Sequence, residues 1–318
     1  MQALVFDGKL AFRKNHPDPS PPKGEALVKV RYAGICRTDL EITRGYLSFS
    51  GVPGHEFVGQ VISGSRRWEG KRVVGQINCV CERCDMCRGG MSNHCRHRTV
   101  LGIAGRDGCF AELLTLPEQN LHEVPAAIGD EEAVFVEPLA AAFQIVKQVP
   151  IEPRMRVAVL GSGRLGLLVA QVMALTGCRL VVVGRNEDTL SFCEKKGIQT
   201  VPVNELVPRK DHDLVIECTG SPTGLELAAR IVRPRGTIVL KSTCAAGANV
   251  NLAPLVVDEV TLLGSRCGPF PDAISALARR QIDVASMISR TLPLSRGIEA
   301  MELADEPQVI KVLLRISE

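Results

Sequence analysis

A glycine-rich turn between a buried strand and an apolar helix narrows the choice of folds for this chain more than any other motif. Residues 157–160 read Val-Ala-Val-Leu, a composition typical of a strand buried on both faces. Gly161, Gly163 and Gly166 follow in a Gly-x-Gly-x-x-Gly arrangement, and an apolar helix then runs to a stop at Gly177. An isolated glycine motif would carry little weight, but strand, turn and helix in this order predict a dinucleotide site.

The chemistry of a dinucleotide site explains each position of the turn. Gly161 permits the tight turn, Gly163 lets the backbone approach a pyrophosphate, and Gly166 allows the helix to pack closely on the strand. Arg164 and Leu165 lie in the first helical turn, whose N–H groups bind an anion at the positive end of the helix dipole. We therefore place the pyrophosphate of the cofactor at this turn.

Apolar runs alternate with helical periodicity from about residue 139 onward, and this alternation predicts βαβ units and a parallel sheet. The predicted strands are 156–160, 179–183, 213–218, 236–241, 260–264 and 309–315, and the predicted helices are 164–176, 187–196, 222–232 and a segment near 270–281. Before about residue 125, short β-rich runs are separated by Gly and Pro clusters, which indicates an all-β or α+β domain. The length of 318 residues fits two such domains.

Composition excludes several classes of protein. Lys and Arg number 38 against 35 Asp and Glu, and a net charge of +3 is too small for a protein that coats nucleic acid or a membrane surface. No apolar run reaches the roughly 18 residues of a membrane-spanning helix. The chain opens on the strand-like segment Met1–Phe6, which has no leader pattern. We therefore expect a cytoplasmic protein that acts on a small molecule and has no nucleic-acid or membrane partner.

The second strand of the βαβ unit indicates which dinucleotide is bound. In many NAD-binding folds, an Asp or Glu at the end of this strand hydrogen-bonds the ribose hydroxyls of NAD. Here the strand ends in Gly184-Arg185-Asn186. Without a carboxylate, the repulsion against a 2′-phosphate is absent, and the Arg185 guanidinium can bind that phosphate with two hydrogen bonds. Alternatively, Arg185 is a solvated charge and Glu187 or Asp188 reaches the ribose. We expect NADP to be preferred, because these acids suit the first turn of a helix capped by Asn186.

Four cysteines in one loop, Cys81, Cys84, Cys87 and Cys95, can close a tetrahedral zinc site without ligands from elsewhere. A closed site has a structural role, and in a reducing compartment this spacing indicates metal rather than disulfides. The alternatives are unpaired thiols and an iron–sulfur cluster, although the Cys-Pro partner typical of that cluster is missing. The other cysteines apart from Cys36 have no partner pattern and are predicted to pack: Cys79, Cys109, Cys178, Cys193, Cys218, Cys244 and Cys267.

Three further segments carry residue types that bind metals. They contain Cys36, the pair His55-Glu56, and Glu137. Each residue has an ordinary structural alternative: an isolated buried cysteine, a capping histidine, or a turn glutamate before a proline. Spacing alone does not assemble a site from them, but their occurrence beside the cysteine loop and the dinucleotide turn favours a second, dispersed metal centre.

Several motifs, taken together, point to one family. They are Pro22-Lys-Gly-Glu-Ala-Leu-Val-Lys-Val30, Cys36-Arg-Thr-Asp39, Gly54-His-Glu56, the four-cysteine loop, Glu137-Pro-Leu-Ala140, the glycine turn and Glu217-Cys-Thr-Gly220. In these motifs the sequence resembles the zinc-dependent medium-chain alcohol dehydrogenases along essentially its whole length. Within that family it is most similar to the polyol, sugar and threonine dehydrogenase branch.

The resemblance implies a catalytic zinc held by Cys36 and His55. Either Glu56 or Glu137 completes the coordination and leaves one position open for water or substrate. The resemblance also makes Asp39 the residue that orients His55. A zinc in such a site stabilises an alkoxide, whose carbon then transfers hydride to the nicotinamide.

The resemblance assigns further roles outside the metal ligands. Thr38 hydrogen-bonds the substrate hydroxyl and passes its proton outward. The family often has a histidine at the position of Glu41 that continues this relay, so Glu41 either relays a proton or binds substrate. Cys218 and Thr219 contact the cofactor. Because the chain is shorter than most members of the family, we expect shorter loops around the substrate pocket. The resemblance therefore does not identify the substrate.

The resemblance implies an α/β fold with a GroES-like, β-rich catalytic domain, residues 1–138 and 268–318, and a Rossmann domain, residues 139–267. Because relatives are dimers or tetramers, we expect a homo-oligomer. The predicted function is zinc-dependent oxidation of an alcohol, polyol or sugar hydroxyl with NADP preferred and NAD as the alternative. A non-catalytic NADP(H)-binding redox sensor and a zinc-independent reductase are the competing hypotheses, and Thr38 favours the enzyme because a sensor needs no proton outlet.

Overall fold

The computed structural model describes residues 1–243 and 251–317. Cys244, which the sequence predicts to pack, lies outside these described residues. The chain divides into two units, one formed by Met1–Glu137 together with the chain from Phe270 onward, and the other by Pro138–Pro269. Within the described ranges, no helix is both long enough and apolar enough to cross a membrane.

Strands dominate the first unit, and strands alternate with helices in the second. The strands are β1 (Ala3–Phe6), β2 (Leu10–Arg13), β3 (Glu25–Gly34), β4 (Glu56–Ser63), β5 (Arg72–Gly75), β6 (Asn78–Cys79), β7 (Thr99–Val100), β8 (Leu113–Pro117), β9 (Leu121–Glu123), β10 (Arg156–Leu160), β11 (Arg179–Gly184), β12 (Gln199–Pro202), β13 (His212–Glu217), β14 (Val232–Leu240), β15 (Thr261–Gly264), β16 (Ile288–Pro293) and β17 (Lys311–Arg315). The helices are α1 (Arg37–Thr43), α2 (Asp85–Arg88), α3 (Asp130–Ala133), α4 (Val136–Gln148), α5 (Arg164–Ala174), α6 (Glu187–Glu194), α7 (Gly224–Ile231), α8 (Ala253–Val257), α9 (Phe270–Ala278) and α10 (Gly297–Asp305).

The first unit is built on a sheet with β3 at its centre. The strand order, over the described residues, is β16-β17-β3-β4-β5-β9, and β8 also pairs with β3. Buried Val28 and Val30 alternate along β3 with the more exposed Lys29 and Arg31, which is the period-two pattern of a strand with one face in the core. β3 pairs antiparallel with β4, with β8 and with β17, so that strands from both ends of the chain meet on it.

The second unit is a parallel sheet with Rossmann topology. Its described strands lie in the order β12-β11-β10-β13-β14-β15 and are all parallel. Counted from β10, this is the order 3-2-1-4-5-6 of dinucleotide-binding folds. Val157–Leu160 of β10 are all buried, as expected of a strand with helices on both faces. The order reverses between β10 and β13, so a ligand is expected at the carboxyl ends of these two strands.

The observed elements differ from the prediction at a few points. β14 begins at Val232 instead of near residue 236, because Val232 pairs with His212 before residues 233–236 bulge out and Thr237 pairs with Leu214. β12 is not predicted, since it is a partly exposed edge strand without an apolar run. The alternative of a turn at Glu137 is wrong: this residue lies in the first turn of α4, where the proline after it is tolerated.

Candidate zinc and dinucleotide sites

The antiparallel pairing of β3 with β4 brings Cys36 next to His55. Gly34, at the end of β3, lies opposite Glu56, at the start of β4, so the residues just beyond the two strands meet. Cys36 is the N-cap of α1, and His55 immediately precedes β4. One ligand atom from each of Cys36, His55 and Glu56 lies within 4.8 Å of the other two. Three of the four predicted ligands of the dispersed zinc centre therefore converge.

The carboxylate of Asp39 contacts both Cys36 and His55. Its Oδ2 accepts a hydrogen bond from the backbone N–H of Cys36 at 2.8 Å, and its Oδ1 lies 3.1 Å from Nδ1 of His55. Because a buried carboxylate only accepts, Nδ1 carries the proton and Nε2 is left as the metal-binding nitrogen. Thr38 lies beside them, with its Oγ1 3.8 Å from the Cys36 Sγ.

The electrostatics of the cluster favour a cation at His55. Burial lowers the pKa of His55, but the charge and hydrogen bond of Asp39, helped by Cys36, outweigh burial and raise that pKa well above its usual value. An imidazole in this field holds a proton unless a metal ion displaces it. Zinc fits the donor set, because thiolate, imidazole and carboxylate are its usual ligands.

Lys311, which belongs to none of the sequence motifs, forms an ion pair with Glu56 in the interior. The exposed side-chain fractions are 3% for Lys311 and 2% for Glu56. The Lys311 Nζ also donates to the Ile35 carbonyl at 3.2 Å. Gly34 leaves room for the pair, since a Cβ there would lie 2.6 Å from the Glu56 Oε2. No local signal reveals Lys311, because in sequence it is one residue of the predicted last strand.

Two other predicted site residues, Glu137 and Glu41, are not part of the cluster formed by Cys36, His55 and Glu56. Glu137 is half-buried in the first turn of α4 and is not among the three residues whose ligand atoms converge. The Glu41 carboxylate lies 2.8 Å from the guanidinium of Arg37 and 3.0 Å from that of Arg44. Asp305 pairs with the same two arginines, which closes a ring of alternating charges. A role of Glu41 in proton transfer stays a prediction.

The four cysteines of the loop converge at the distances that a tetrahedral metal requires. The Sγ–Sγ distances are 3.5 Å for Cys84 and Cys87, 3.5 Å for Cys81 and Cys95, and 3.8 Å for Cys84 and Cys95. Zn–S bonds of about 2.3 Å give a tetrahedral S–S edge of about 3.8 Å. A disulfide would need about 2.05 Å. The loop therefore fits a metal and not a pair of disulfides.

The same thiols also favour a cation electrostatically. Hydrogen bonds from the backbone N–H groups of Arg96 and Cys87 lower the pKa of Cys84 to about 6. Desolvation, followed by the hydrogen bonds with its neighbouring thiols Cys84 and Cys95, raises the pKa of Cys87 to about 12. Adjacent thiols cannot all ionise without a counter-charge, and a divalent ion supplies one. The flanking His94 and His97 are exposed, as expected for residues outside the site.

The glycine turn lies between β10 and α5. Gly161 has a φ of +100°, and a Cβ on Gly166 would lie 1.9 Å from the Gly161 carbonyl oxygen, so neither position accepts a side chain. Gly163 is the N-cap of α5, and Arg164 and Leu165 begin that helix. The turn thus has the tight bend, the close packing and the helix amino end that a pyrophosphate site needs.

Cys218 and Thr219 follow β13 and lie against the same turn. The backbone of Cys218 is 2.9 Å from the point where a Gly161 Cβ would be, and its N–H donates to the Leu160 carbonyl at 2.8 Å. Burial raises the pKa of the Cys218 thiol, which keeps it neutral. The Thr219 N–H donates at 2.7 Å to the buried Glu217 carboxylate. The carboxyl ends of β10 and β13 thus hold several of the predicted cofactor residues.

Arg185 is exposed, one residue beyond the end of β11 at Gly184, and forms no ion pair within the part of the chain that is described. The predicted cap at Asn186 is confirmed, because its side chain accepts a hydrogen bond at 3.2 Å from the third N–H of α6. Glu187 and Asp188 occupy the first turn of α6, where carboxylates offset the helix dipole.

Comparison with known proteins gives matches along the whole chain. A family profile described as the alcohol dehydrogenase GroES-like domain matches residues 22–126, and one described as zinc-binding dehydrogenase matches residues 165–281. The chain is 30% identical to the D-altritol 5-dehydrogenase of Agrobacterium fabrum, with 98% of each protein covered.

Two solved structures have the same fold over 99% of both chains. They are a zinc-binding dehydrogenase from Sinorhizobium meliloti bound to NADP, with 28% identity and a TM-score of 0.90, and the Escherichia coli alcohol dehydrogenase RspB with NADH, with 26% identity and a TM-score of 0.90. The predicted fold class and the predicted class of NAD(P)-dependent zinc enzyme are confirmed by these matches. The chain belongs to the zinc-dependent medium-chain alcohol dehydrogenase family.

Proposed function

We propose that the protein oxidises a polyol or a related secondary alcohol, and reduces the corresponding carbonyl compound in reverse. The observation that carries the proposal is the convergence of Cys36, His55 and Glu56 within 4.8 Å in a chain of this family. The similarity to a D-altritol 5-dehydrogenase supports a polyol as the substrate class. The catalytic role belongs to residues 1–138 and 268–318, and the cofactor-binding role belongs to residues 139–267.

The side chains around the zinc cluster have separate tasks in this reaction. Zinc bound there would act as a Lewis acid that lowers the pKa of the substrate hydroxyl. Cys36 and His55 would hold the metal, and Asp39 fixes the tautomer and orientation of His55. Thr38, close to the Cys36 sulfur, takes the hydroxyl proton and passes it to solvent. The carbinol carbon loses hydride as the oxygen loses this proton, so the alcohol becomes a carbonyl by a two-electron oxidation.

The residues at the carboxyl edge of the parallel sheet would hold the dinucleotide, which would supply the hydride acceptor for this oxidation. The first-turn N–H groups of α5, from Arg164 and Leu165, bind the pyrophosphate, because they lie at the positive end of the helix. Gly163 carries no side chain, and a Cβ there would meet nothing within 4 Å, so space for the phosphates is open on this side. Cys218 and Thr219 line the same edge.

We assign the third protein ligand to Glu56 and not to Glu137. Glu56 is the carboxylate that converges with Cys36 and His55, and Lys311 engages only its Oε2. The other carboxylate oxygen remains for the metal. A matched pair of variants tests the assignment: Glu56→Gln should lower the zinc content from about two to about one per chain, whereas Glu137→Gln should leave it unchanged. The reverse result would transfer the ligand role to Glu137.

We propose that NADP is the preferred cofactor. Arg185 supports this, because it is exposed, follows β11 directly and is not engaged by a carboxylate in the described residues. Glu187 and Asp188 serve the first turn of α6. Arg185→Ala should raise the KM for NADP about tenfold or more, as the loss of a charge-assisted bidentate contact does, and should leave the KM for NAD nearly unchanged. An unchanged KM for NADP would show that Arg185 is only a solvated charge.

We also propose that two copies associate through the edge strand β15. The strand is largely exposed, and Leu262 on it is 43% exposed. Val256 and Val257 of α8, a few residues before β15 in the chain, are 75% and 80% exposed. A second copy would satisfy the open hydrogen-bonding groups of the edge and cover these apolar side chains. The reduced thiols that the cysteine loop requires are consistent with a cytoplasmic location.

The experiment that tests the proposed function is a zinc determination combined with NAD and NADP titrations, followed by an alcohol and polyol panel. Cys36→Ser should abolish turnover while NADPH still binds, because the cofactor residues lie on other elements. Cys84→Ser, which removes a ligand of the other site, serves as the matched control for loss of one zinc. Activity that survives Cys36→Ser would refute the zinc mechanism, and a zinc-loaded, NADPH-binding protein without activity on any alcohol would leave the redox-sensor hypothesis.

A further inference from the structure

Lys241 is a half-buried cation at the carboxyl end of β14, directly after the apolar run Ile238–Leu240. Its Nζ donates to the Ala141 carbonyl at 2.7 Å, to the Arg266 carbonyl at 3.0 Å and to the Ser265 hydroxyl at 3.3 Å. A lysine ammonium group has three N–H donors, and these three oxygens can take all of them. The group is therefore engaged by oxygens of its own unit.

The three acceptors belong to the two segments through which the chain enters and leaves the second unit. Ala141 lies in α4, which begins at the entry near Pro138, and residues 265–266 shortly precede the exit near Pro269. The two segments also touch each other: a Cβ on Gly268 would lie 1.9 Å from the Ala140 carbonyl oxygen.

Further along, the Gln148 side chain at the end of α4 donates to the Gly264 carbonyl at 3.3 Å. The Ser265 N–H donates to the Leu240 carbonyl at 3.0 Å, and the Lys241 N–H donates to the Glu217 carbonyl at 3.0 Å. These bonds fix the backbone from which the Lys241 side chain extends. The Lys241 side chain thus connects the sheet to both the entering and the leaving segment.

We propose that Lys241 is a positioning residue for hydride transfer, because its ammonium group ties the entering and leaving segments to the carboxyl edge of the sheet. The proposal rests on the proposed function, in which one unit holds the alcohol and the other holds the nicotinamide. These two segments are the covalent connections between the units. Hydride transfer depends on the placement of the two carbons to within a fraction of an ångström, so a looser connection slows that step.

The test is Lys241→Met, which keeps an unbranched side chain as far as Cε and removes the three N–H donors. Hydrogen exchange followed by mass spectrometry should show faster exchange in both segments, 138–148 and 262–269. The kcat should fall about tenfold or more, in line with the cost of a small misplacement of reacting groups. The primary isotope effect with a deuterated alcohol should rise, because hydride transfer becomes more rate-limiting, and the Kd for NADPH should stay within about twofold.

A matched control and a second variant keep the test decisive. Lys210→Met removes an exposed lysine that pairs with Asp258 in the same unit, and should change neither the exchange nor the isotope effect. Lys241→Gln retains two N–H donors and should give intermediate values, and it carries the test if the methionine variant does not fold.

Different results overturn different statements. Unchanged exchange in either segment would refute the tie itself. Faster exchange in both segments with an unchanged kcat and isotope effect would reduce Lys241 to a structural residue. An inactive wild-type protein would refute the proposed function, and with it the positioning role, whereas the exchange data would still report on the tie, so the two failures are distinguishable.

Discussion

At the residue scale, Lys311 and Glu56 form a buried ion pair within the zinc cluster. Both side chains are almost completely buried, so each charge has lost its hydration and depends on the other. Removal of one partner leaves the other as an uncompensated charge in the core. The Lys311 ammonium group also offsets the negative charge of the Glu56 carboxylate.

We expect Lys311→Met to lower the free energy of unfolding of the metal-free protein by about 3–5 kcal/mol, the usual cost of breaking a buried pair. Urea unfolding measures this. Lys71→Met is the control, because Lys71 and Glu123 form a pair with exposed fractions of 45% and 55%, and such a pair contributes about 0–1 kcal/mol. A loss below about 1 kcal/mol for Lys311→Met would show that the surroundings satisfy Glu56 without the lysine.

The raised pKa of His55 predicts a pH dependence whose sign differs with and without metal. In the metal-free protein the protonated imidazole is stabilised by Asp39, so this stability is fully present below pH about 6.5 and is lost as pH rises through the raised pKa. Unfolding of the metal-free protein over a pH series should show this decrease, and Asp39→Asn should flatten it. With zinc the order is reversed, because protons displace the metal as pH falls. Identical profiles for the wild type and Asp39→Asn would contradict the assignment.

At the scale of elements, the cysteine loop and its flanks contain little regular structure. They comprise the two-residue strands β6 and β7 and the four-residue helix α2, which has no buried residue. We expect zinc to supply most of the local stability. Chelation should accelerate hydrogen exchange at residues 80–98 by at least about tenfold and leave β10 to β15 protected. Equal protection of the loop with and without zinc would show that its backbone folds alone.

Elements that are specified by the sequence of a short segment are predicted well. Elements that depend on pairing with a distant strand are not. The strands and helices of the parallel sheet follow from apolar runs, glycine stops and the cap at Asn186, all of which are readable within a few residues. β12 is missed because pairing with β11 makes it a strand, not its own composition. The bulge in β14 depends likewise on its register with β13.

At the scale of the whole molecule, the proposed association through β15 predicts that a charge on this strand disrupts the dimer. Leu262→Lys places a charge on the exposed edge and should convert a dimer to a monomer in sedimentation experiments, because a buried unpaired charge at an edge prevents pairing. Val207→Lys is the control, since Val207 is 69% exposed elsewhere in the same unit. A Leu262→Lys protein that remains a dimer would place the interface on another surface.

The sequence by itself determines the Rossmann sheet, the glycine turn and the four-cysteine loop. Each of these is encoded in a short segment, by the period of its apolar residues or by the spacing of its ligands. Only the tertiary structure decides that the carboxylate of Glu56 converges with Cys36 and His55, because the register of β3 on β4 brings them together. It also decides that Lys311, from the last strand, neutralises Glu56, and that Lys241 joins two segments more than a hundred residues apart. Such contacts depend on chain pairing over long distances, and no local pattern records them.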